Sequence, residues 1–534
     1  MEPPGASRIL RHLAFVSAAV VGLLACPATS NALDDYVAKQ DGHYSYYDTG
    51  LRMEGESPRN GVLTPWKGYV LNMTSQSWLT PADSSRPVWW HMLVVIEPDI
   101  VSHEDRGMLW ITGGDNDGSG IIPSATDEDI KVAANLAVNL GMVCAALFQV
   151  PNQHIVFNGD PLAKQRTEDS LVAYGWAHFL DFPDVPEWLL LFPMTKAAVK
   201  AMDTAEDFVK RSDEVGLHSS IEKWGVAGAS KRGWTTWLTT AVATDRVMFA
   251  APVVFDELNF THNLHHHYQA YGGWSWALQD YYDMNLTARF DDPAMDIFNS
   301  LIDPLSYKDR FANGRIPLLV VDCGMDEFFL PDDQRWWWDD MASTDIHMIM
   351  APNTEHSFAT GILEVLPSVA AWANAHMHGQ VVPVPTWTID EEPDGGKITV
   401  VTGAGANGAP GIKAVSMWHA TSCAKENRRD FRIATADDPC TCGVAAEGQC
   451  VNTAVVWHKT RLNATADGSY VAEMASPPDG QWTAFFVDMI YESTQLGWPV
   501  GRPGEMEFTT EVSIVPNTFP APPCEGAGCK GTIV

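Results

Sequence analysis

One stretch, residues 224–237 (WGVAGASKRGWTTW), limits the possible folds more than any other: an apolar run meets a serine among small residues and continues with helical spacing. Gly228, Ala229 and Ser230 allow a sharp turn from strand to helix that pushes the serine hydroxyl outward, the geometry of a nucleophile elbow. A serine held that way can attack a carbonyl. Position 232 is Arg, and Gly233 arrives one residue late for the Gly-x-Ser-x-Gly pattern. The elbow therefore gains weight only if the rest of the chain supplies an acid, a histidine and an oxyanion site in order.

On both sides of the elbow, short apolar runs alternate with helical patterns. Residues 88–96 (VWWHMLVVI) and 108–112 (MLWIT) read as buried strands. Residues 126–140 read as a helix, opened by a cap-like Thr126-x-x-Asp129 and stopped at Gly141, and 142–150 (MVCAALFQV) as a returning strand. A helix over 195–209 leads to the elbow strand, and 248–255, 316–321 and 346–351 supply further strands. This order predicts an α/β fold with a mostly parallel sheet and crossover helices. Gly113-Gly114 at the end of the second run is a candidate half of an oxyanion hole, the alternative being a tight loop. The run IPLLVVDCG ends beside Asp322, Asp326 and Glu327; Asp326 is the preferred acid and the other two are alternatives. His356, in a loop before a helix, completes the order serine, acid, histidine, each at a strand end.

Two excursions interrupt the pattern, around 151–192 and 256–311, and predict a cap over the catalytic edge of the sheet. Within them, the charges of Arg166, Glu168 and Asp169 suit a peptide terminus, while Trp274 and Trp276 suit stacking against a sugar. His262, His265, His266 and His267 have helical spacing, but no carboxylate completes a known zinc motif, which favours packed or surface histidines over a metal site. The chemistry calls for no metal and no organic cofactor. Lys231 and Arg232 either attract an acidic substrate, face solvent, or pack against the acidic 326–333 segment.

With 34 Lys and Arg against 67 Asp and Glu, a net charge of −33 excludes a nucleic-acid partner. Residues 1–32 have the layout of a signal peptide, with Arg8 and Arg11, an apolar run over 13–24 and cleavage expected after Ala32. Leu23-Leu24-Ala25-Cys26 also resembles a bacterial lipoprotein box, so the expected address is extracellular, or periplasmic or lipid-anchored in a bacterium. No later run has the length of a transmembrane helix. Glycosylation sequons stand at Asn72, Asn259, Asn285 and Asn463. Cys423, Cys440, Cys442 and Cys450 cluster and Cys524 and Cys529 form a close pair, as disulfides of an oxidising compartment would; zinc at Cys440-Thr441-Cys442 is the alternative. Cys144 and Cys323 read as buried thiols. After residue 382 the texture changes to short alternating segments such as KITVV, AVSMWHAT and WTAFFVDMIY, predicting an immunoglobulin-like antiparallel sandwich over 383–519 and an extended tail over 520–534.

The segments GASKRGWTTW, IPLLVVDCGMDEFFLPDD, APNTEHSF, DFR and GQWTAFFVDMIYE resemble the PhoPQ-activated pathogenicity-related proteins over most of the mature chain. That resemblance implies an exported protein with an α/β-hydrolase-type domain, here 33–382, followed by a β domain. It implies Ser230 as nucleophile, Asp326 as acid and His356 as base, in agreement with the order of the residues themselves; by position, the backbone N–H of Lys231 and one from Gly113 or Gly114 are the expected oxyanion donors. The expected activity is hydrolysis of an ester or amide in a small-molecule, peptide or glycan substrate. The alternative is a signalling or binding protein that meets a cell-surface receptor on the same scaffold.

Overall fold

The computed structural model describes residues 30–534 except 119, 217–219, 479 and 493–504, so nearly all of the expected leader, Cys26 included, lies outside the described residues. Its centre is a nine-stranded sheet built from β1 (Ser45–Arg59), β2 (Val62–Ser77), β3 (Val88–Pro98), β4 (Arg106–Ile111), β5 (Val143–Leu147), β6 (Lys223–Ala229), β7 (Val247–Val253), β8 (Leu318–Cys323) and β9 (Ile346–Ala351). The strand order is β1-β2-β3-β5-β4-β6-β7-β8-β9. Pairing is antiparallel from β1 to β5 and parallel from there to β9. Strands β5 and β8 are buried at every position, which is why they read as unbroken apolar runs. Between β4 and its neighbours β5 and β6 the winding reverses, and the C-terminal strand ends beside such a reversal form a crevice.

Helices cover both faces. They are α1 (Ala32–Ala38), α2 (Glu128–Leu140), α3 (Glu168–Asp181), α4 (Leu191–Arg211), α5 (Lys231–Val242), α6 (Phe260–Tyr271), α7 (Gln279–Asp283), α8 (Ala294–Ile302), α9 (Lys308–Gly314) and α10 (Ile362–Met377). One core joins α4 and α5 to Leu109, Val226 and Val320, and a second joins α2 and α10 to Met108, Ala227 and Val321, the alternate residues of the same strands. Helix α2 is capped by Asp127, which accepts the Asp129 N–H at 3.0 Å, and Thr126 instead pairs with Ser124 at 2.9 Å. The boundary expected after Ala32 falls inside α1. Asn31 caps that helix through the N–H groups of Leu33 and Asp34, and Leu33 is fully buried. Strands β1 and β2 were not anticipated: burial along β1 follows no two-residue alternation, and its apolar Tyr47 and Leu51 face solvent. No helix among the described residues is long and apolar enough to cross a membrane.

The C-terminal region contains antiparallel sheets. Strands over 386–392, 395–401 and 470–475 form one, and 458–461, 412–421, 483–492 and 505–509 form another, to which 513–515 adds. They share a core through Ile398, Val400 and Ala472 on one side and Phe485, Val487 and Met489 on the other. A third small sheet (434–435, 449–452, 443–446) carries two disulfides, Cys423–Cys442 and Cys440–Cys450, so the cluster binds itself rather than zinc. The tail, closed by Cys524–Cys529, does not end free. It lies along the cap, where the Trp274 N–H donates to the Thr532 carbonyl and the Trp274 carbonyl accepts the Val534 N–H, both at 2.8 Å.

Candidate active site

Ser230 sits where β6 becomes α5, with φ 59° and ψ −129°, a conformation that costs about 1–3 kcal/mol and persists only where its surroundings enforce it. Its N–H donates to the carbonyl of Val253 on β7 at 2.9 Å, and its carbonyl accepts the N–H of Trp234 at 3.0 Å. The elbow is therefore fixed by the neighbouring strand on one side and the first helical turn on the other.

The loops after β8 and β9 bring two further side chains to it. His356 Nε2 lies 2.8 Å from Ser230 Oγ, and His356 Nδ1 lies 2.8 Å from Asp326 Oδ2 and 3.0 Å from Oδ1. Asp326 Oδ1 also accepts the backbone N–H groups of Phe328 at 2.7 Å and Phe329 at 3.1 Å, which fixes the carboxylate. The Phe328 ring packs against the imidazole, with ring centres 4.3 Å apart. Of the alternative acids, Glu327 accepts the backbone N–H of His356 at 3.1 Å and does not bond the ring. Burial and the Asp326 carboxylate raise Glu327 to about 7. Asp322 is buried with neither carboxyl oxygen bonded to a described residue, and desolvation with Asp256 and Asp326 close by holds it well above the usual carboxylate range.

Lys231 and Arg232 do not meet the 326–333 segment. Lys231 Nζ pairs with Glu168 at 2.9 Å and Asp169 at 3.0 Å, and Arg232 pairs with Glu168 at 2.6 Å while donating to the carbonyl of Val150 at 2.6 Å. Burial works against the charge on Glu168, but Arg232 and Lys231 outweigh it and hold the carboxyl well below its ordinary value. The Arg232 guanidinium also packs on Gly113, where a Cβ would stand 2.5 Å from it. The carbonyl of Gly113 accepts the N–H of Gln149 at 2.8 Å, so the glycine loop is tied to the body at that point. Arg166 is turned away from the cleft: it is buried in an ion pair with Asp160 at 2.9 Å and lies over the Tyr174 ring, so it cannot receive a substrate.

A small cavity opens at Ser230, with ≈ 40 Å³ open to the centre of a water-sized molecule. Trp176, Trp234, Tyr281 and Phe290 give it aromatic walls, and Lys231, Asp169, Thr287 and Glu257 supply polar atoms. Gly113, Gly114, Trp274 and Trp276 do not line it. Trp274 is fully buried, stacked on His267 and donating to the carbonyl of Cys529 at 2.9 Å, and Trp276 donates to the carbonyl of Ala434 at 2.9 Å. Both are packing residues in this structure, not an open stacking surface. The α6 histidines go to separate partners: His262 to Asn259, His265 to Asp291 and His266 to Arg429, each at 2.8 Å. Asn259 spends its side-chain amide on the carbonyl of Trp336 at 2.8 Å, Asn72 is half-buried on β2, and Asn285 and Asn463 are exposed. Glu257 was not anticipated as a site residue; the signal available was an acidic pair, Asp256-Glu257, directly after the apolar run that pairs with the elbow strand.

The strand order, the serine at a strained strand-to-helix turn and the hydrogen-bonded acid and histidine at later strand ends define an α/β-hydrolase scaffold. Residues 33–432 match the PhoPQ-activated pathogenicity-related proteins, and the chain belongs to that family. It is 34% identical over 508 residues to autocrine proliferation repressor protein A of Dictyostelium discoideum, covering 94% of this chain and 95% of the relative. Similar solved structures include acetyl xylan esterase 1 from Thermoanaerobacterium sp., at 14% identity over 62% of this chain and 90% of the other with a TM-score of 0.36. An S-formylglutathione hydrolase from Agrobacterium tumefaciens is similar at 13% identity, 61% and 98% coverage and a TM-score of 0.35.

Proposed function

We propose that the protein is a secreted serine hydrolase that cleaves an ester or amide. The observation that carries this reading is the unbroken hydrogen-bonded chain from Ser230 through His356 to the buried Asp326 at a strained elbow. As Ser230 Oγ bonds to the carbonyl carbon, His356 Nε2 takes the hydroxyl proton. When the bond to the leaving group breaks, that proton passes to the leaving atom, and a water repeats the sequence to free the acid. Asp326 holds the imidazole tautomer and stabilises its charge. The N–H of Lys231, at the first helical position, and one from Gly113 or Gly114 serve the oxyanion, each donor worth about 3–4 kcal/mol in enzymes of this type. Three disulfides among the described residues suit an oxidising compartment and support export. Asn285 and Asn463, both exposed, are the sequons positioned to carry glycans.

A second reading has one observation behind it: the curated relative is named for repression of proliferation, which suggests a signal received by a cell-surface partner. A fluorophosphonate probe separates the two. Wild type is expected to label and Ser230→Ala and His356→Ala are not; a folded wild type that stays unlabelled refutes the hydrolase. Biological action retained by Ser230→Ala assigns that action to binding.

A further inference from the structure

Of the ionisable and hydroxyl side chains that line the cavity at Ser230, all but one have a partner. Lys231 pairs with Glu168 and Asp169, Tyr281 donates to Asp169 at 2.9 Å, Thr287 donates to the carbonyl of Lys530 at 3.3 Å, and Ser230 faces His356. The exception is Glu257, in the loop after β7, whose N-terminal neighbour strand β6 ends at the serine. Glu257 is 9% exposed, lines the cavity, and its carboxyl makes no hydrogen bond or ion pair with any described residue. An unpartnered carboxyl in such a place is costly unless a ligand supplies what it lacks.

We propose that Glu257 is the specificity-determining residue of the cavity and that it receives the ammonium group of the substrate, an amino-acid ester or the free amino end of a short peptide. The inference rests on the serine-hydrolase reading above. Two features of the cavity select a cation over a hydroxyl-rich ligand. Its walls are rings, Trp176, Trp234, Tyr281 and Phe290 among them, whose faces attract an ammonium and offer no hydrogen-bond network to a sugar. Its own cation, Lys231, is held by two carboxylates and cannot neutralise Glu257. Burial, with the carboxyl groups of Asp256, Asp303 and Asp326 around it, keeps Glu257 well above the usual carboxylate range. An arriving ammonium is the counter-charge that lets it ionise.

The test compares the p-nitrophenyl ester of phenylalanine, with its amine free, against the deaminated 3-phenylpropanoate ester and the N-acetylated ester. Wild type is expected to favour the free amine over both by about 10- to 100-fold in kcat/KM. Glu257→Gln is expected to lower that ratio at least tenfold, and Glu257→Asp to retain part of it. A wild-type ratio near one, an equal rate on the acetylated ester, or a Glu257→Gln variant that slows all three esters alike overturns the proposal. Fluorophosphonate labelling of Ser230, which needs no amine, keeps the two readings apart. Labelling without amine preference refutes the role of Glu257 alone, and absence of labelling in folded wild type refutes the hydrolase itself.

Discussion

Asp326→Asn tests the proposed chemistry at the atom where the structure is most specific. Asp326 Oδ1 accepts two backbone N–H groups, from Phe328 and Phe329, while Oδ2 faces His356 Nδ1 at 2.8 Å. In the asparagine variant the oxygen must stay at the Oδ1 position, because an NH2 group there would face two donors. The NH2 group therefore takes the Oδ2 position and donates to His356 Nδ1. The ring proton moves to Nε2, which now presents N–H to Ser230 Oγ and cannot accept the serine proton. Side-chain volume and the two backbone contacts survive, so the loss is one of tautomer and charge. The expected drop is about 10⁴-fold in the rate of serine modification, roughly 5 kcal/mol in the barrier. The assay is the second-order rate of fluorophosphonate labelling at fixed pH, with thermal unfolding measured alongside. A folded Asp326→Asn that labels within tenfold of wild type refutes the assignment of Asp326 as the orienting acid.

Two carboxylates make opposite predictions about pH. Glu168 is held below its ordinary 4.5, so its contribution to stability is present above that value and is lost as pH falls through the lowered one. Glu168→Gln is expected to lower stability at neutral pH and to flatten the acid limb of a melting-temperature profile; parallel wild-type and variant profiles refute the pairing with Arg232 and Lys231. Because Arg232 lies on Gly113, the same variant is expected to lower kcat more than it raises KM. Glu327 is raised from 4.5 to about 7, so the folded state keeps a proton that the unfolded state releases, and stability falls as pH rises between these values. Glu327→Gln keeps an acceptor for the His356 N–H and is expected to remove that fall, a gain on the order of 3 kcal/mol at pH 8. An unchanged slope across this window refutes it.

The parts of the site that could be read in the sequence are those set by local chain geometry. Ser230, Asp326 and His356 each follow a short buried strand of a parallel sheet, and parallel strands deliver their C-terminal ends to one edge, so order along the chain predicts proximity. Side-chain partners across the fold obey no such rule. Lys231 and Arg232 find Glu168 and Asp169 because the first turn of α3 is carried over the elbow by the cap, and nothing at either position signals the other. Trp274 looked available for stacking because tryptophans in a cap often are. It is buried because the last residues of the chain lie along it, a contact between segments more than 250 residues apart. Strand β1 carries no period-two signal, because apolar residues such as Tyr47 and Leu51 face solvent along this edge strand.

The displaced glycine of the elbow has a packing cause. The residue that meets the neighbouring strand is Gly233: a Cβ there would stand 2.6 Å from the carbonyl oxygen of Val253 and 3.0 Å from the Cβ of Phe255, and the backbone atom cannot yield. Position 232 faces elsewhere, toward the loop after β4, and carries no such restriction. Arg fills it and spans three elements at once, bonding Val150, pairing with Glu168 at the start of α3 and lying on Gly113. A glycine at 232 would satisfy the usual pattern and lose that brace, leaving the glycine loop without the guanidinium packed on it and Glu168 with only Lys231 to balance its charge. The departure from the motif is thus the feature that couples the nucleophile's helix to the loop proposed to serve its oxyanion.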